Sequence, residues 1–243
     1  MQSWGLTDPG CVRKQNQDAY RMEQLDRGTL LCVVCDGMGG AKSGNIASTL
    51  AVEVFVEEVR RCWIPGMESD KVDQMLRSAV KLANFTVFDQ AAQFEEFSGM
   101  GTTLVAALVR GKKATIVNVG DSRAYGIDRN GIHQITKDHS LVQMMVDRGD
   151  LTPEVAKTYP GKNFITRAIG TETMVLCDIY HREVSRGDYI LLCSDGLSNV
   201  MDDQEILFEV VHGVNKQHCC KRLLNIAKNR GAPDNVTSVL ILV

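Results

Sequence analysis

The 243-residue sequence has no apolar run long enough to span a membrane, and its first ten residues lack the basic and apolar regions of a signal peptide. It also lacks a surplus of positive charge: the formal net charge is −3, which argues against a nucleic-acid-binding surface. There is no low-complexity tract, linker or fixed-period repeat. With 44% hydrophobic and 23% charged residues, the composition is typical of a globular protein, and we expect it in the cytoplasm.

The sequence also lacks the cysteine patterns of two common classes of site. No cysteine is followed six residues later by an arginine, so the nucleophile loop of a Cys-x5-Arg phosphatase is absent. Cys32 and Cys35 have C-x-x-C spacing, but they lie in an apolar, strand-like run, and no second pair stands at the spacing of a zinc site. We interpret the eight cysteines as reduced thiols, several of them buried.

A phosphate-binding loop is excluded by two residues. Residues 39–43, Gly-Gly-Ala-Lys-Ser, have a superficial likeness to the G-x-x-x-x-G-K-[ST] pattern. That pattern requires glycine at positions 36 and 41, where this sequence has Asp36 and Ala41. A nucleotide-binding protein of this type is therefore not predicted.

The most informative stretch is an apolar, β-branched run at 30–35 that ends in Asp36. The run predicts a buried strand, and three glycines within the next four residues let the backbone approach a ligand closely. A helix is predicted to open near Ser43. The same design recurs at 188–194, where an apolar strand ends in Asp195 and a glycine.

The spacing of apolar residues along the rest of the sequence predicts an α+β fold in a single domain, residues 1–243. The polar segment 138–166 interrupts the strand pattern, and such excursions often carry function. The predicted helices are 44–61, 70–96, 141–149, one starting at Thr152, 203–212 and 219–230; the predicted strands are 2–7, 101–109, 114–119, 123–127, 132–135, 174–184, 188–194 and 236–243.

Carboxylates stand where several of these strands begin or end. Each alone is unremarkable, because aspartate is common where a strand becomes a turn. Several at one edge of a sheet would repel one another unless cations neutralised them, and an all-oxygen set favours magnesium or manganese over zinc. The carboxylates concerned are Asp36, Asp121, Asp195 and Asp234, with Asp18 near the first.

An arginine near these carboxylates points to phosphate as the ligand. Arg13 is the candidate, because its planar guanidinium pairs with two phosphate oxygens at once. Two divalent ions roughly 3.5–4 Å apart can activate a bridging water and stabilise in-line displacement at phosphorus. The residues themselves therefore predict a metal-assisted phosphohydrolase.

Eight ordered motifs across nearly the whole chain carry a family resemblance. The sequence resembles the metal-dependent Ser/Thr protein phosphatases, the PPM or protein phosphatase 2C-like family, in its short bacterial form. The motifs are TDPGCVRKQNQDA (7–19), VVCDGMGG (33–40), SGMGTT (98–103), GDSRAY (120–125), TKDHSLV (136–142), NFITRAIG (163–170), GDYILLCSDGLSN (187–199) and APDNVT (232–237).

The resemblance implies a fold and a reaction. The fold would be a four-layer α/β/β/α sandwich of two antiparallel β-sheets flanked by helices, with the metals at one edge and residues 138–166 as a flap. The reaction would be hydrolysis of phosphoserine and phosphothreonine in proteins by a water bridging two Mn²⁺ or Mg²⁺ ions. The chain would oppose a bacterial Ser/Thr kinase and act on that kinase's substrates as a monomer, without nucleic acid or membrane as partner.

The resemblance also implies roles for individual residues. Asp36 would bridge the two metals, and the Gly37 carbonyl would bind the first. Arg13 would bind the substrate phosphate. The remaining carboxylates would complete the metal centre: Asp195 and Asp234 on the second ion, Asp18 on ligands or metal-bound water, and Asp121 with Asp195 at a third, weaker site.

Two positions depart from the family pattern. Met38 stands where many eukaryotic relatives have a histidine that is proposed to protonate the leaving oxygen, and Gln17 stands where many relatives have glutamate. Because Asp18 is retained, we expect metal binding to survive. The general acid stays open between His139 and a metal-bound water, and His139 has the alternative interpretation of a hydrogen-bonded structural histidine.

Two alternatives to a general protein phosphatase are considered. The first is a catalytically inactive scaffold, which would be expected to have lost metal carboxylates; none is lost here. The second is a phosphatase dedicated to one regulatory protein. Since no sensor or partner domain is fused to this chain, a general phosphatase is favoured.

Overall fold

A computed structural model describes residues 1–156 and 158–243. Lys157, in the predicted flap 138–166, lies outside the described residues. The strands are β1 (Gln2–Asp8), β2 (Asp18–Asp26), β3 (Thr29–Met38), β4 (Gly101–Thr102), β5 (Leu104–Arg110), β6 (Lys113–Val119), β7 (Arg123–Asp128), β8 (Gly131–Gln134), β9 (Asp178–Glu183), β10 (Tyr189–Cys193) and β11 (Val236–Leu242).

Along the chain, the helices lie in the connections between successive strands. They are α1 (Gly40–Cys62), α2 (Ser69–Gln93), α3 (Leu141–Arg148), α4 (Pro153–Ala156), α5 (Asp195–Ser198), α6 (Asp203–His212) and α7 (Cys219–Asn229), with 3-10 turns at Glu95–Phe97 and Lys216–His218. None of the described helices is both long and apolar enough to cross a membrane.

The strands form two antiparallel sheets. One has the order β1-β11-β10-β7-β8, and the other has the order β2-β3-β5-β6-β9, with β4 paired to β3. The last strand of the chain, β11, lies between the first strand and β10. The predicted mixed α+β architecture of two antiparallel sheets flanked by helices is confirmed.

Three apolar clusters fill the space between these layers. One joins the β3–β5–β6 sheet to α1 and α2, one joins the other sheet to α6 and α7, and one lies between the two sheets. Val33 belongs to the first cluster and Val34 to the third. Side chains that alternate between two buried faces explain why the run before Asp36 is apolar throughout instead of alternating with polar residues.

Several boundaries differ from the sequence prediction. Helix α1 begins at Gly40 rather than near residue 44, because Gly39 takes a positive φ of 119° and turns the chain sharply from β3 into the helix. Helix α2 ends at Gln93, and a separate 3-10 turn follows. The strand predicted at 174–184 begins only at Asp178.

Candidate metal centre

Strands β2 and β3 bring the first two carboxylates together. Asp18 begins β2 and lies directly opposite Asp36, near the end of β3, in the antiparallel register. Directly paired residues have Cβ atoms roughly 4.5–5.5 Å apart and point to the same face of the sheet. Two like charges are therefore held side by side by backbone pairing alone.

The backbone of Asp36 is fixed by its neighbours. Its N–H donates to Thr103 Oγ1 at 2.9 Å, and its carbonyl accepts from the Thr102 hydroxyl at 2.8 Å and the Thr103 N–H at 2.9 Å. The Thr103 hydroxyl in turn bonds to Ser122 at 2.7 Å. The main chain of Asp36 thus makes these three bonds to the β4–β5 segment, while its side chain faces the cleft.

Asp18 is buried beneath this edge and bridges the two sheets. Its Oδ2 accepts from Ser194 Oγ at 2.7 Å and from Thr237 Oγ1 at 2.6 Å, both on the opposing sheet. Its Oδ1 is buried and has no hydrogen-bond donor among the described residues. A buried acceptor without a donor is costly, so this oxygen fits a group that a cation or its water would contact.

The other predicted carboxylates come from the ends of three more elements. Asp121 follows β6, Asp195 follows β10, and Asp234 precedes β11. A cleft of about 640 Å³ brings them together with the residues predicted from the motifs. Its lining includes Arg13, Asp36, Gly37, Asp121, Asp195 and Asp234.

Burial and mutual repulsion raise the pKa values of four of the acids, Asp18, Asp36, Asp121 and Asp195. Burial and then the charge of Asp18 hold the pKa of Asp36 well above its usual range. Burial, followed by the charge of Asp195, raises the pKa of Asp121 to about 8. Burial also raises the pKa of Asp18 to about 7, against two hydroxyl hydrogen bonds that lower it. The ionised cluster is therefore unfavourable without a counter-ion.

Asp195 follows the same pattern. Burial raises its pKa, with the charge of Asp234 as the next cause. Its Oδ2 accepts from Asn199 at 3.0 Å, whereas its buried Oδ1 has no hydrogen-bond partner among the residues that the structure describes. Asp36 donates a hydrogen bond to Asp195 only while the Asp36 carboxyl carries a proton.

The donor set fits hard divalent cations. The groups at the cleft are carboxylate and carbonyl oxygens, which magnesium and manganese prefer. Among the described residues, no three acidic, histidine or cysteine side chains are gathered tightly enough to hold one ion alone. Magnesium sites keep several waters, so waters would complete the ligand shell of each ion that the cluster holds.

Arg13 lies at the mouth of the cleft. Its Nη2 donates to Asp234 Oδ2 at 2.8 Å, and about half of its side chain is exposed. This ion pair raises the pKa of Arg13, and the charges of Asp36 and Asp195 add to the effect. Only Nη2 of the guanidinium makes this bond, and Arg13 belongs to the cleft lining.

Asn235 holds the loop that carries Arg13, a role that sequence analysis did not assign. Its Nδ2 donates to the carbonyls of Pro9 and Gln15, at 3.0 and 2.9 Å, and its Oδ1 accepts from Gln17 N at 2.8 Å. The only sequence signal was its place in the APDNVT motif. Asn235 therefore fixes the backbone of Gln17, whose carbonyl accepts a hydrogen bond from Gly37 N at 3.0 Å.

His139 is not in the cleft lining. Its Nδ1 accepts from the backbone N–H of Gly120 at 3.0 Å, so its Nε2 carries the proton and donates to Asp178 Oδ2 at 3.0 Å. The ring is only 6% exposed, and its burial lowers its pKa. These contacts favour the interpretation of a structural histidine over that of a general acid.

The segment predicted as a flap is tied to the sheets at its base. Asp138 accepts a forked pair of hydrogen bonds from Arg123, and His139 N donates to Gly120 O at 2.9 Å. Asn163 and Ile165 from this segment line the cleft beside the carboxylates. The segment therefore contributes directly to the walls around the site.

Comparison with known proteins agrees with this geometry. The protein phosphatase 2C family profile matches residues 12–227. The serine/threonine phosphatase stp of Listeria welshimeri is 32% identical over 235 residues, covering 97% of this chain and 93% of that protein.

Two solved structures share the fold along the full length of the chain. The serine/threonine phosphatase Stp1 from Staphylococcus aureus superposes with a TM-score of 0.93 at 37% identity, covering 100% of this chain and 94% of that one. The catalytic domain of the phosphatase PstP in complex with two manganese ions superposes with a TM-score of 0.85 at 33% identity, covering 98% and 96%.

Proposed function

This chain belongs to the protein phosphatase 2C family and is a metal-dependent Ser/Thr protein phosphatase, and we propose that its carboxylate cluster holds two divalent cations at which phosphoserine and phosphothreonine are hydrolysed. The observation that carries the proposal is one cleft lined by four aspartates and an arginine. The raised pKa values of Asp36 and Asp121 indicate a site built to hold positive charge.

Each residue of the cluster has a proposed place in the metal centre. Asp36 would hold both ions, and the Gly37 carbonyl would hold the first. When bound, the two cations would acidify the attacking water and neutralise charge on the phosphoryl group. The other ligands are Asp195 and Asp234 at the second ion, Asp18 through water, and Asp121 with Asp195 at a third, weaker site.

A cysteine nucleophile is disfavoured by the structure as well as by the sequence. Cys35, next to Asp36, is fully buried, and burial raises its pKa well above its usual range. Burial also raises the pKa of Cys193 to about 12. Thiols in this state are not nucleophilic, and no cysteine of the described residues lines the cleft, so we propose attack by water without a phosphoenzyme.

Arg13 positions the substrate. Its exposed guanidinium would bind two phosphate oxygens of the phosphoryl group. Its ion pair with Asp234 fixes the guanidinium at the cleft before substrate arrives, which limits the ordering required on binding.

The leaving serine or threonine oxygen needs a proton, and Met38 has none to give. We assign His139 a structural role, in which it holds Gly120 and Asp178, because both of its ring nitrogens are engaged away from the cleft. The proton then comes from water in the cleft.

The same proposal extends to the domain organisation, partners and metal of the chain. Residues 1–243 form one catalytic domain, and 138–166 act as its flap. Its partners are phosphoserine and phosphothreonine proteins, with a cognate Ser/Thr kinase as the opposing enzyme. The PstP structure contains manganese, and we propose Mn²⁺ or Mg²⁺ for this chain, acting as a cytoplasmic monomer.

Phosphate release from a phosphothreonine peptide tests the proposal, with manganese, magnesium or chelator, in wild type, Asp36→Asn and the matched control Asp203→Asn. Asp203 is exposed on α6 and lies outside the lining of the carboxylate cleft. We expect metal-dependent turnover in wild type and control, and a loss of about 1,000-fold or more in Asp36→Asn. A folded protein without turnover on either metal would support an inactive scaffold instead.

A further inference from the structure

A second cavity lies at the end of the sandwich opposite the carboxylates. Its volume is about 790 Å³, and we call it the distal groove. Its walls are the β2–β3 turn, the β5–β6 turn and the segment after α1. The lining residues are Asp26, Arg27, Gly28, Thr29, Trp63, Pro65, Gly66, Arg110, Gly111, Lys112 and Lys113.

The groove is built around Trp63. Its indole N–H donates to Asp26 Oδ2 at 2.8 Å, which ties the end of α1 to the end of β2. The Arg110 guanidinium lies 5.9 Å from the centre of the indole ring and hydrogen-bonds to the carbonyl of Met67. The aromatic floor is therefore fixed by three elements before any ligand binds.

The charge of the groove is opposite to that of the whole chain. Its lining has four basic residues and one acid, while the chain has a net charge of −3. The acid, Asp26, is already engaged by Trp63 and by the backbone N–H of Gly28 at 2.7 Å. Within residues 1–156 and 158–243, none of the four cations makes an ion pair.

Three of those cations are exposed at the rim. Arg27 lies in the β2–β3 turn, and Lys112 and Lys113 lie in the β5–β6 turn. Strand pairing places one acid, Glu183, beside Lys113, and the other rim cations repel each other, which an anionic ligand would relieve. The rim therefore attracts negative charge, while Trp63 and Pro65 offer apolar surface between the cations.

We propose that the distal groove binds an acidic segment of a partner protein. A concave site with an aromatic floor suits an extended peptide whose apolar side chain packs on Trp63 while its carboxylates meet the rim. Nucleic acid and anionic membranes fit less well, because an acidic protein is repelled by such extended negative surfaces and the basic patch is small.

The groove is separate from the reaction site. Strand β3 runs from Thr29, in the groove wall, to Asp36, and at about 3.3 Å per residue this separates the two sites by roughly 23 Å. Binding at the groove therefore does not require hydrolysis, and the proposal does not depend on the catalytic one.

The test is fluorescence anisotropy with a short fluorescein-labelled peptide of alternating glutamate and leucine. The binding variant is Lys112→Glu/Lys113→Glu, and the matched control is Lys81→Glu/Lys221→Glu, which makes the same change in net charge at exposed lysines outside the groove. We expect the binding variant to weaken peptide affinity by about tenfold or more, the control to stay within about twofold of wild type, and added salt to weaken wild-type binding. Both variants should keep wild-type hydrolysis of p-nitrophenyl phosphate, which checks folding.

Trp63 gives a second readout. The chain has two tryptophans, so a Trp4→Phe background leaves Trp63 as the only indole. The peptide should change its emission in that background and leave it unchanged when Lys112→Glu/Lys113→Glu is added.

The proposal is overturned if the binding and control variants weaken peptide affinity equally, since binding would then reflect net charge alone. Failure of the peptide to bind wild type also overturns it. So does tighter binding, through the same two lysines, to single-stranded DNA or to phosphatidylserine vesicles.

Discussion

Asp18 and Asp36 are directly paired across the antiparallel strands β2 and β3. Asp18 is buried, and one of its carboxylate oxygens has no donor in the described structure. Backbone pairing fixes the distance between the two acids, so neither can move away to relieve repulsion. Either protons or cations must therefore occupy this edge of the sandwich.

The substitution Asp36→Asn should stabilise the metal-free protein by roughly 1 kcal/mol, because the amide puts no charge opposite Asp18 and needs no proton to stay neutral. The same substitution should abolish stabilisation by manganese, which for wild type amounts to about 2.7 kcal/mol at a metal concentration about 100 times Kd. Thermal unfolding with chelator and with manganese measures both effects. An Asp36→Asn protein that is less stable than wild type in chelator would contradict the account.

The stability of the metal-free protein should increase as pH falls from about 8 to about 6.5. The pKa of Asp121 is raised to about 8 and that of Asp18 to about 7, so the folded state binds more protons than the unfolded state in this range. The free energy of unfolding therefore falls as pH rises through these values, by an amount on the order of 1 kcal/mol. Below about pH 6.5 the lowered pKa of His139 acts in the opposite direction.

Manganese should reverse this trend, because metal binding requires deprotonated carboxylates. Urea unfolding at several pH values, with chelator or manganese, makes the comparison. Parallel pH dependence in both conditions would show that protons and metal do not compete for the same groups.

Removing the guanidinium in Arg13→Ala should lower kcat/KM on a phosphothreonine peptide by about 10- to 100-fold, the usual effect of losing hydrogen bonds to a charged group. The kcat/KM of Arg13→Lys should lie between those of wild type and Arg13→Ala, because lysine keeps the positive charge but cannot pair with two phosphate oxygens at once. Since Arg13 also pairs with Asp234, manganese affinity is measured on the same proteins. Unchanged kcat/KM at saturating metal would remove Arg13 from phosphate binding.

His139→Ala should lower turnover of an aryl phosphate and of a phosphothreonine peptide by the same factor. The two substrates differ in how much the leaving group needs a proton, and His139 has no free proton directed at the cleft. The variant should also lose about 1–3 kcal/mol of stability, because Gly120 N–H is left without its acceptor. The exposed His133→Ala serves as the control. A larger loss on the peptide would restore the general-acid role.

Gly37→Ala should damage the metal centre through the backbone. A Cβ on Gly37 would lie 2.0 Å from the Gly44 carbonyl oxygen and 2.6 Å from that of Gln17. The end of β3 would have to shift, at a cost of about 1–3 kcal/mol, and manganese affinity should fall. Gly28→Ala is the matched control, since its Cβ would meet nothing closer than 3.8 Å. Calorimetric manganese binding that is equal in both variants would contradict this role.

The edge that carries the carboxylates could be predicted from the sequence because its signal is local. An apolar run that ends abruptly in an aspartate, as at Asp36 and Asp195, gives both a buried strand and the place where it ends. The hydrogen-bonded partners could not be predicted in this way. Asn235 holds a loop more than 200 residues away in the chain, and His139 meets Gly120 and Asp178 through tertiary packing alone.

The order of strands and the start of α1 could not be predicted from local sequence patterns either. Strand β11 lies between β1 and β10, and such long-range pairing has no local sequence signal. The glycines after Asp36 predicted a turn, but its sharpness depends on the positive φ of Gly39, which a sequence permits without requiring. The distal groove likewise depends on Asp26, Trp63 and Arg110 meeting from three separate elements.

The most direct test of the metal centre is an anomalous difference map, recorded at the manganese edge, from crystals of the manganese-loaded protein. The account predicts two strong peaks in the cleft, both in contact with Asp36, one of them shared with Gly37 O and the other with Asp195 and Asp234. No peak within reach of Asp36 would contradict it.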